Sequence, residues 1–161
     1  MPISYKLLNH LILFSCTFCA FRCAVVPAAS KYQLDYFPGG IDDVYLGMTY
    51  EFLEKSRKET TLDFVRIDED STRSVYNEKK IGKPYESVTY FIDNGDESIL
   101  YEMSVNFPQG TDVGAEAVKM YGETNSDGGE WAFDTPEGFR INMWQTPAKL
   151  FISSRELRQN P

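Results

Sequence analysis

Between residues 87 and 107 the chain alternates apolar and polar side chains on both sides of a turn dipeptide, and no other stretch restricts the fold as strongly. Val88, Tyr90 and Ile92 alternate with Ser87, Thr89 and Phe91, and Asn94-Gly95 follows. Then Ile99, Tyr101, Met103, Val105 and Phe107 alternate with Leu100, Glu102, Ser104 and Asn106. Period two is the repeat of a pleated strand, and Asn-Gly favours hairpin turns because both residues tolerate positive φ. Five apolar residues of one parity put that face on a core. They leave Glu102 and Ser104 on the opposite, largely polar face.

Two helices are available to cover the apolar face. Thr49 can cap a helix that carries Glu51 in its first turn and Lys55, Arg57 and Lys58 at its end. Met48 and Leu53 would close over that cap, and Phe52 would extend the apolar stripe. Thr111-Asp112 starts a second helix with Val113, Ala117, Met120 and Tyr121 at helical spacing and Gly122 at the C-cap. Thr61 to Ile67 reads as a short strand, whereas residues 68–84 are polar and turn-rich and read as a loop. After the turn Asn125-Ser126-Asp127-Gly128-Gly129, three short strands are expected at 130–134, 138–145 and 149–153. The order predicts an α+β fold, an antiparallel sheet with helices packed on one face. It also allows two degenerate helix-plus-three-strand halves, although their sequences show no convincing self-similarity.

The first 28 residues read differently. Lys6 precedes an apolar run whose core, Leu11 to Phe21, is 11 residues long, and the first acidic residue of the chain is Asp35. That run suits a signal peptide and is short of the ~20 residues that span a bilayer. Val26-Pro27-Ala28 offers a cleavage site, with cleavage after Ser30 as the alternative. An uncleaved anchor from Leu7 to Val26 would bury Arg22, Asn9 and His10 at membrane depth. A lipid anchor at Cys16 would use Leu13-Phe14-Ser15-Cys16, with bulky Phe14 where small residues are usual. The reading is therefore a signal peptide at 1–28 and one exported domain at 31–156.

Export decides which chemistry remains. Cys16, Cys19, Cys23 and His10 are the only cysteines and histidine, and all would leave with the signal. The mature chain would then have no thiolate nucleophile, no Ser-His-Asp triad and no ordinary zinc site, and no cofactor is implied. Loss of Lys6 and Arg22 leaves 14 basic against 24 acidic residues, a net charge of −10. Such a surface disfavours nucleic acid and anionic membranes.

Leu46-Gly47-Met48-Thr49, followed by an acidic, apolar-striped helix, resembles the opening of small bacterial envelope domains. These are the SmpA/OmlA-type outer-membrane assembly lipoproteins and the beta-lactamase-inhibitor-protein-like fold. The resemblance covers residues 41–57. It implies an α+β envelope domain in which the threonine caps a helix and an antiparallel sheet follows, with a binding or assembly role.

Several stretches are candidates for chemistry. Glu123 to Gly128 with Asp134 spaces oxygen ligands like a calcium loop, with the end residues interchanged, and the bland alternative is a polar helix-to-strand turn. Asp93 to Glu97 reads as the hairpin turn, and Asp68-Glu69-Asp70 as a solvated loop. The 24 acidic residues permit a carboxylate pair for hydrolysis, but no spacing selects one. Aromatic residues crowd the last three strands. Trp144 has the opposite parity to Phe139, Ile141 and Met143, sharing a face with Arg140 and Asn142. It would either form a binding patch or cover a sheet edge. The expected function is a non-enzymatic exported or cell-envelope module that binds a protein partner around Trp131 and Trp144. A carboxylate-based hydrolase and a calcium-stabilised extracellular domain are the alternatives.

Overall fold

The computed structural model describes residues 38, 39, 41, 44–60, 64–79 and 84–158. The export segment with Cys16 and its cleavage site, and the aromatic lead-in with Tyr32, Tyr36 and Phe37, lie outside the described residues. Helix α1 spans Tyr50–Thr60 and α2 spans Val113–Tyr121. The strands are β1 Val65–Glu69, β2 Arg73–Lys79, β3 Ser87–Asp93, β4 Leu100–Asn106, β5 Trp131–Asp134, β6 Arg140–Gln145 and β7 Lys149–Ser153. A 3-10 turn, Arg155–Leu157, follows.

All seven strands join one antiparallel sheet in the order β1-β2-β3-β4-β7-β6-β5. The fold is α+β. β4 and β7 meet at the centre, and each is the last strand of a meander that follows a helix. The meander after α1 has four strands rather than three, because β2 occupies part of the stretch read as a loop. Its sequence hides its burial. Ser74 and Glu78 are as inaccessible as Val75 and Tyr76, so polar residues stand where a hydrophobic pattern would have shown a strand.

Register sorts the side chains into two faces. Tyr90 pairs with Met103, Met103 with Ile152, Ile152 with Met143, and Met143 with Trp131. This row and its neighbours Val88, Val105, Leu150 and Ile141 form the inner face, in one buried cluster with Leu53 of α1 and Val113 and Ala117 of α2. Both helices therefore cover the same face. A bulge shifts the register of β4, so that Phe91 pairs with Glu102 but Ile92 pairs with Leu100. Leu100 joins the inner cluster, while Tyr101 stands apart from it with its ring against the Arg158 guanidinium at 5.5 Å. Strict alternation had placed Tyr101 inward and Leu100 outward, and the extra residue reverses both. Ser104 keeps its outward parity but is 1% exposed, so it does not face solvent.

The Leu46 to Thr49 segment lies against the start of β4. Gly47 N–H donates to Leu100 O at 2.8 Å, Leu100 N–H donates to Met48 O at 2.8 Å, and Thr49 bridges Ile99. Gly47 has φ +87°, a conformation open to glycine, while a Cβ there would only reach ordinary contact with Leu157. In α1 the buried positions are Leu53 and Arg57, one turn apart, and Phe52 is 39% exposed rather than part of the stripe. Arg57 lies 3.9 Å from Glu78 of β2, and the Tyr90 hydroxyl donates to the same carboxylate at 2.6 Å. Burial, and then the neighbouring Glu78, raise the Tyr90 pKa well above the ordinary value, so this hydroxyl keeps its proton. Beside this group Tyr76 stacks between Tyr50 at 4.9 Å and Phe64 at 5.1 Å.

Helix α2 follows its sequence signals closely. Asp112 accepts from the Ala115 amide at 3.0 Å, and Gly122, at φ +79°, closes the other end with its N–H on Val118 O. Val113, Ala117 and Tyr121 form the stripe that meets the core, whereas Met120 is 38% exposed.

Candidate functional site

The face of the sheet away from the helices carries the site. Strand alternation puts Arg140, Asn142 and Trp144 of β6 there, with Lys149, Phe151 and Ser153 of β7 and Glu102, Ser104 and Asn106 of β4. Trp144 is the cross-strand partner of Phe151, and their rings stack with centroids 5.1 Å apart and planes within 2°. Such a pair stabilises a sheet by roughly 0.2–1 kcal/mol, and both rings remain partly accessible. Next to it lies a pocket of about 400 Å³ lined by Glu130, Asn142, Trp144, Ser153 and Arg155. One aromatic ring with an amide, a hydroxyl, a carboxylate and a guanidinium can orient a polar ligand through every class of hydrogen bond.

Glu102 adjoins this pocket, opposite Ser153 in the register. Desolvation raises its carboxyl pKa, against the lowering effect of a hydrogen bond from Ser153 and of the charges on Arg158 and Arg73. A carboxyl with a raised folded pKa binds its proton more tightly when folded. Its stabilising contribution is complete below the unfolded value of 4.5 and is lost as pH rises through the raised folded value. Glu102→Gln removes that titration. The variant should gain melting temperature relative to wild type as pH climbs from below 4.5 towards neutral. Melting curves across this range check it, and a constant offset at every pH would mean that Glu102 titrates alike in both states.

The structure separates the two tryptophans. Trp131 is 1% exposed, faces the helices, packs near Tyr121 at 6.0 Å and donates its indole N–H to Gly122 O at 2.9 Å. It closes the end of α2 and belongs to the core, not to a contact surface. Its short strand has aromatic residues at two positions of one parity, Trp131 and Phe133, and nothing in sequence says which face they take. Phe151, Glu102, Glu130, Ser153 and Arg155 are the site members that sequence reasoning did not single out. The signal that could have found three of them is the period-two series Lys149, Phe151, Ser153, Arg155.

The acidic stretches have structural partners. Asn125 accepts from the Ala132 amide at 2.8 Å and donates to its carbonyl at 3.1 Å, while Asp134 is held by Arg140 at 2.8 Å. The Arg140 hydrogen bond holds the Asp134 carboxyl below the usual range. Two would-be calcium ligands are thus engaged with protein groups. Asp70 accepts from the Thr72 hydroxyl and from the amides of Thr72 and Arg73, forming a turn. Asp93 accepts from the Gly95 amide at 2.7 Å, and the hairpin loop runs on to Ser98, whose φ is +48°. Among the described residues no three His, Cys, Asp or Glu side chains are grouped to hold a metal ion.

Among the described residues no helix is long and apolar enough to cross a membrane. Comparison of the chain with protein-family models, with curated proteins and with solved structures finds no match in any of the three.

Proposed function

We propose that the chain is a non-enzymatic exported or cell-envelope module for binding and assembly, and that it docks a protein partner on the outer sheet face. One observation carries the reading: the Trp144–Phe151 stack lies on the face the helices leave open, beside a polar pocket. The hydrophobic core is complete without it, since both helices and the inner face form their own buried cluster. Tryptophan is enriched among residues that dominate binding energy at interfaces, especially beside groups that can exclude water around it. The likeness of Leu46 to Thr49 to envelope domains that work by contact points the same way.

Trp144→Ala tests this. The variant should keep its circular dichroism spectrum and melt cooperatively, because Trp144 is only half-buried. Recovery of the native partner in a pull-down from the envelope should fall in line with a loss of about 2 kcal/mol, roughly thirtyfold in affinity. Undiminished recovery would take Trp144 out of the contact. Turnover of a polysaccharide or peptide substrate by wild type, abolished in Glu130→Gln, would replace the reading with a hydrolase.

A further inference from the structure

We infer that the pocket beside Trp144 is a binding site for a neutral saccharide, with one sugar ring laid against the indole. This goes beyond the protein-contact reading and does not depend on it. Register places the indole. Phe151 of β7 covers one flank of Trp144, with ring planes within 2°, and it is not part of the pocket lining. Trp131 pairs with Met143, so β5 brings the preceding residue, Glu130, to the opposite flank of Trp144. Glu130 lines the pocket, which therefore meets the indole on the side that Phe151 leaves open. The cavity of about 400 Å³ lies at the small end of the range for ligand sites.

The polar lining selects hydroxyl groups. Glu130 offers only acceptors, Arg155 only donors, and Asn142 both. A hydroxyl satisfies either kind, because it donates and accepts. Among the described residues, the side chains of Glu130, Asn142 and Arg155 have no hydrogen bond or ion pair of their own, so all three can take one up. Ser153 is already hydrogen-bonded to Glu102. Charge argues for a neutral ligand. Glu130 and Arg155 bring opposite signs into one pocket, and Glu102 adjoins it. An anion would meet the two glutamates and a cation would meet Arg155, so neither finds a field of one sign. A small zwitterion would match Glu130 and Arg155 but leave the indole unused. A pyranose carries polarised C–H bonds on one face, which pack against the negative face of an aromatic ring, and hydroxyls around its rim. It uses both the ring and the polar lining.

The probes are maltotriose, cellotriose and the trimer of N-acetylglucosamine, titrated while tryptophan fluorescence is followed. The chain has two tryptophans, and Trp131 is 1% exposed in the core, so a change on titration reports Trp144. At least one trisaccharide should shift the emission saturably. Added salt should leave its affinity unchanged, because screening acts on charges and the ligand has none. Calorimetry then follows the variants. Asn142→Ala and the exposed change Arg155→Ala should each weaken binding by about tenfold. Trp144→Ala should weaken it further, whereas Trp144→Phe should keep most of it, because an aromatic face remains. The inference is overturned if none of the three sugars binds at millimolar concentration, if Trp144→Ala and Arg155→Ala bind as wild type does, or if glycylglycine binds in their place. A native partner displaced by the free sugar would support the inference and recast the protein contact as recognition of that partner's glycan.

Discussion

Met103→Asp should leave the domain largely unfolded at room temperature. Met103 is 0% exposed at the middle of the sheet, between Tyr90 on β3 and Ile152 on β7 in the buried hydrophobic cluster. An aspartate there must bury an unpaired charge or take up a proton, and it also loses the packing of a full side chain. Changes of this type cost more than about 4 kcal/mol, against a total stability of about 5–15 kcal/mol for a typical domain. Met103→Leu, which nearly conserves volume, should cost less than about 1.5 kcal/mol. Urea titrations of the pair measure the contrast. A cooperative transition for the aspartate variant within a few tenths of a molar of wild type would mean that the inner face is wrongly assigned.

The second large effect is expected at Glu78. Its carboxylate is 0% exposed and faces Arg57, which is 2% exposed, and it accepts the Tyr90 hydroxyl at 2.6 Å. Glu78→Ala takes away the carboxylate that faces the buried guanidinium, and breaking a buried ion pair from one side costs about 3–5 kcal/mol. Replacing both members, Arg57→Met with Glu78→Leu, removes the two desolvation penalties together. The double variant should therefore recover most of the lost stability. Tyr90→Phe should cost about 1–3 kcal/mol by depriving a buried carboxylate of a donor. A thermodynamic cycle over the single and double variants decides the matter, and a double variant as unstable as Glu78→Ala would show that the pair does more than neutralise itself. The contact also explains the docking of α1, whose burial rests on Leu53 and Arg57 while Phe52 points out.

The outer face was legible in part. The parity of Trp144 placed it with Arg140 and Asn142 away from the core, and the structure puts it there, stacked on Phe151. Trp131 could not be assigned in the same way. In a four-residue strand the inward parity is set by the strand beside it, here through Trp131 opposite Met143. The pocket needed the pairing of β6 with β7 and the turn after β7, none of which has a local signature.

What the sequence by itself determined is whatever depends on neighbours within a few residues. Asp112 and Gly122 mark α2 because capping is a contact across one turn of helix. The alternation of residues 87–107 announces a hairpin because pleating is a local property, and the α+β class follows from the order of such elements. What only the tertiary structure decided is whatever depends on a partner far along the chain. β2 is a strand because Glu78 finds Arg57 and Tyr90, so a charged residue is stable where an apolar one would have been expected. The bulge that exchanges Leu100 and Tyr101 accompanies the fit of the Leu46 to Thr49 segment against β4. The outer face itself comes from the pairing of β4 with β7, which brings together two meanders whose burial, charge and aromatic contacts no local pattern could assign.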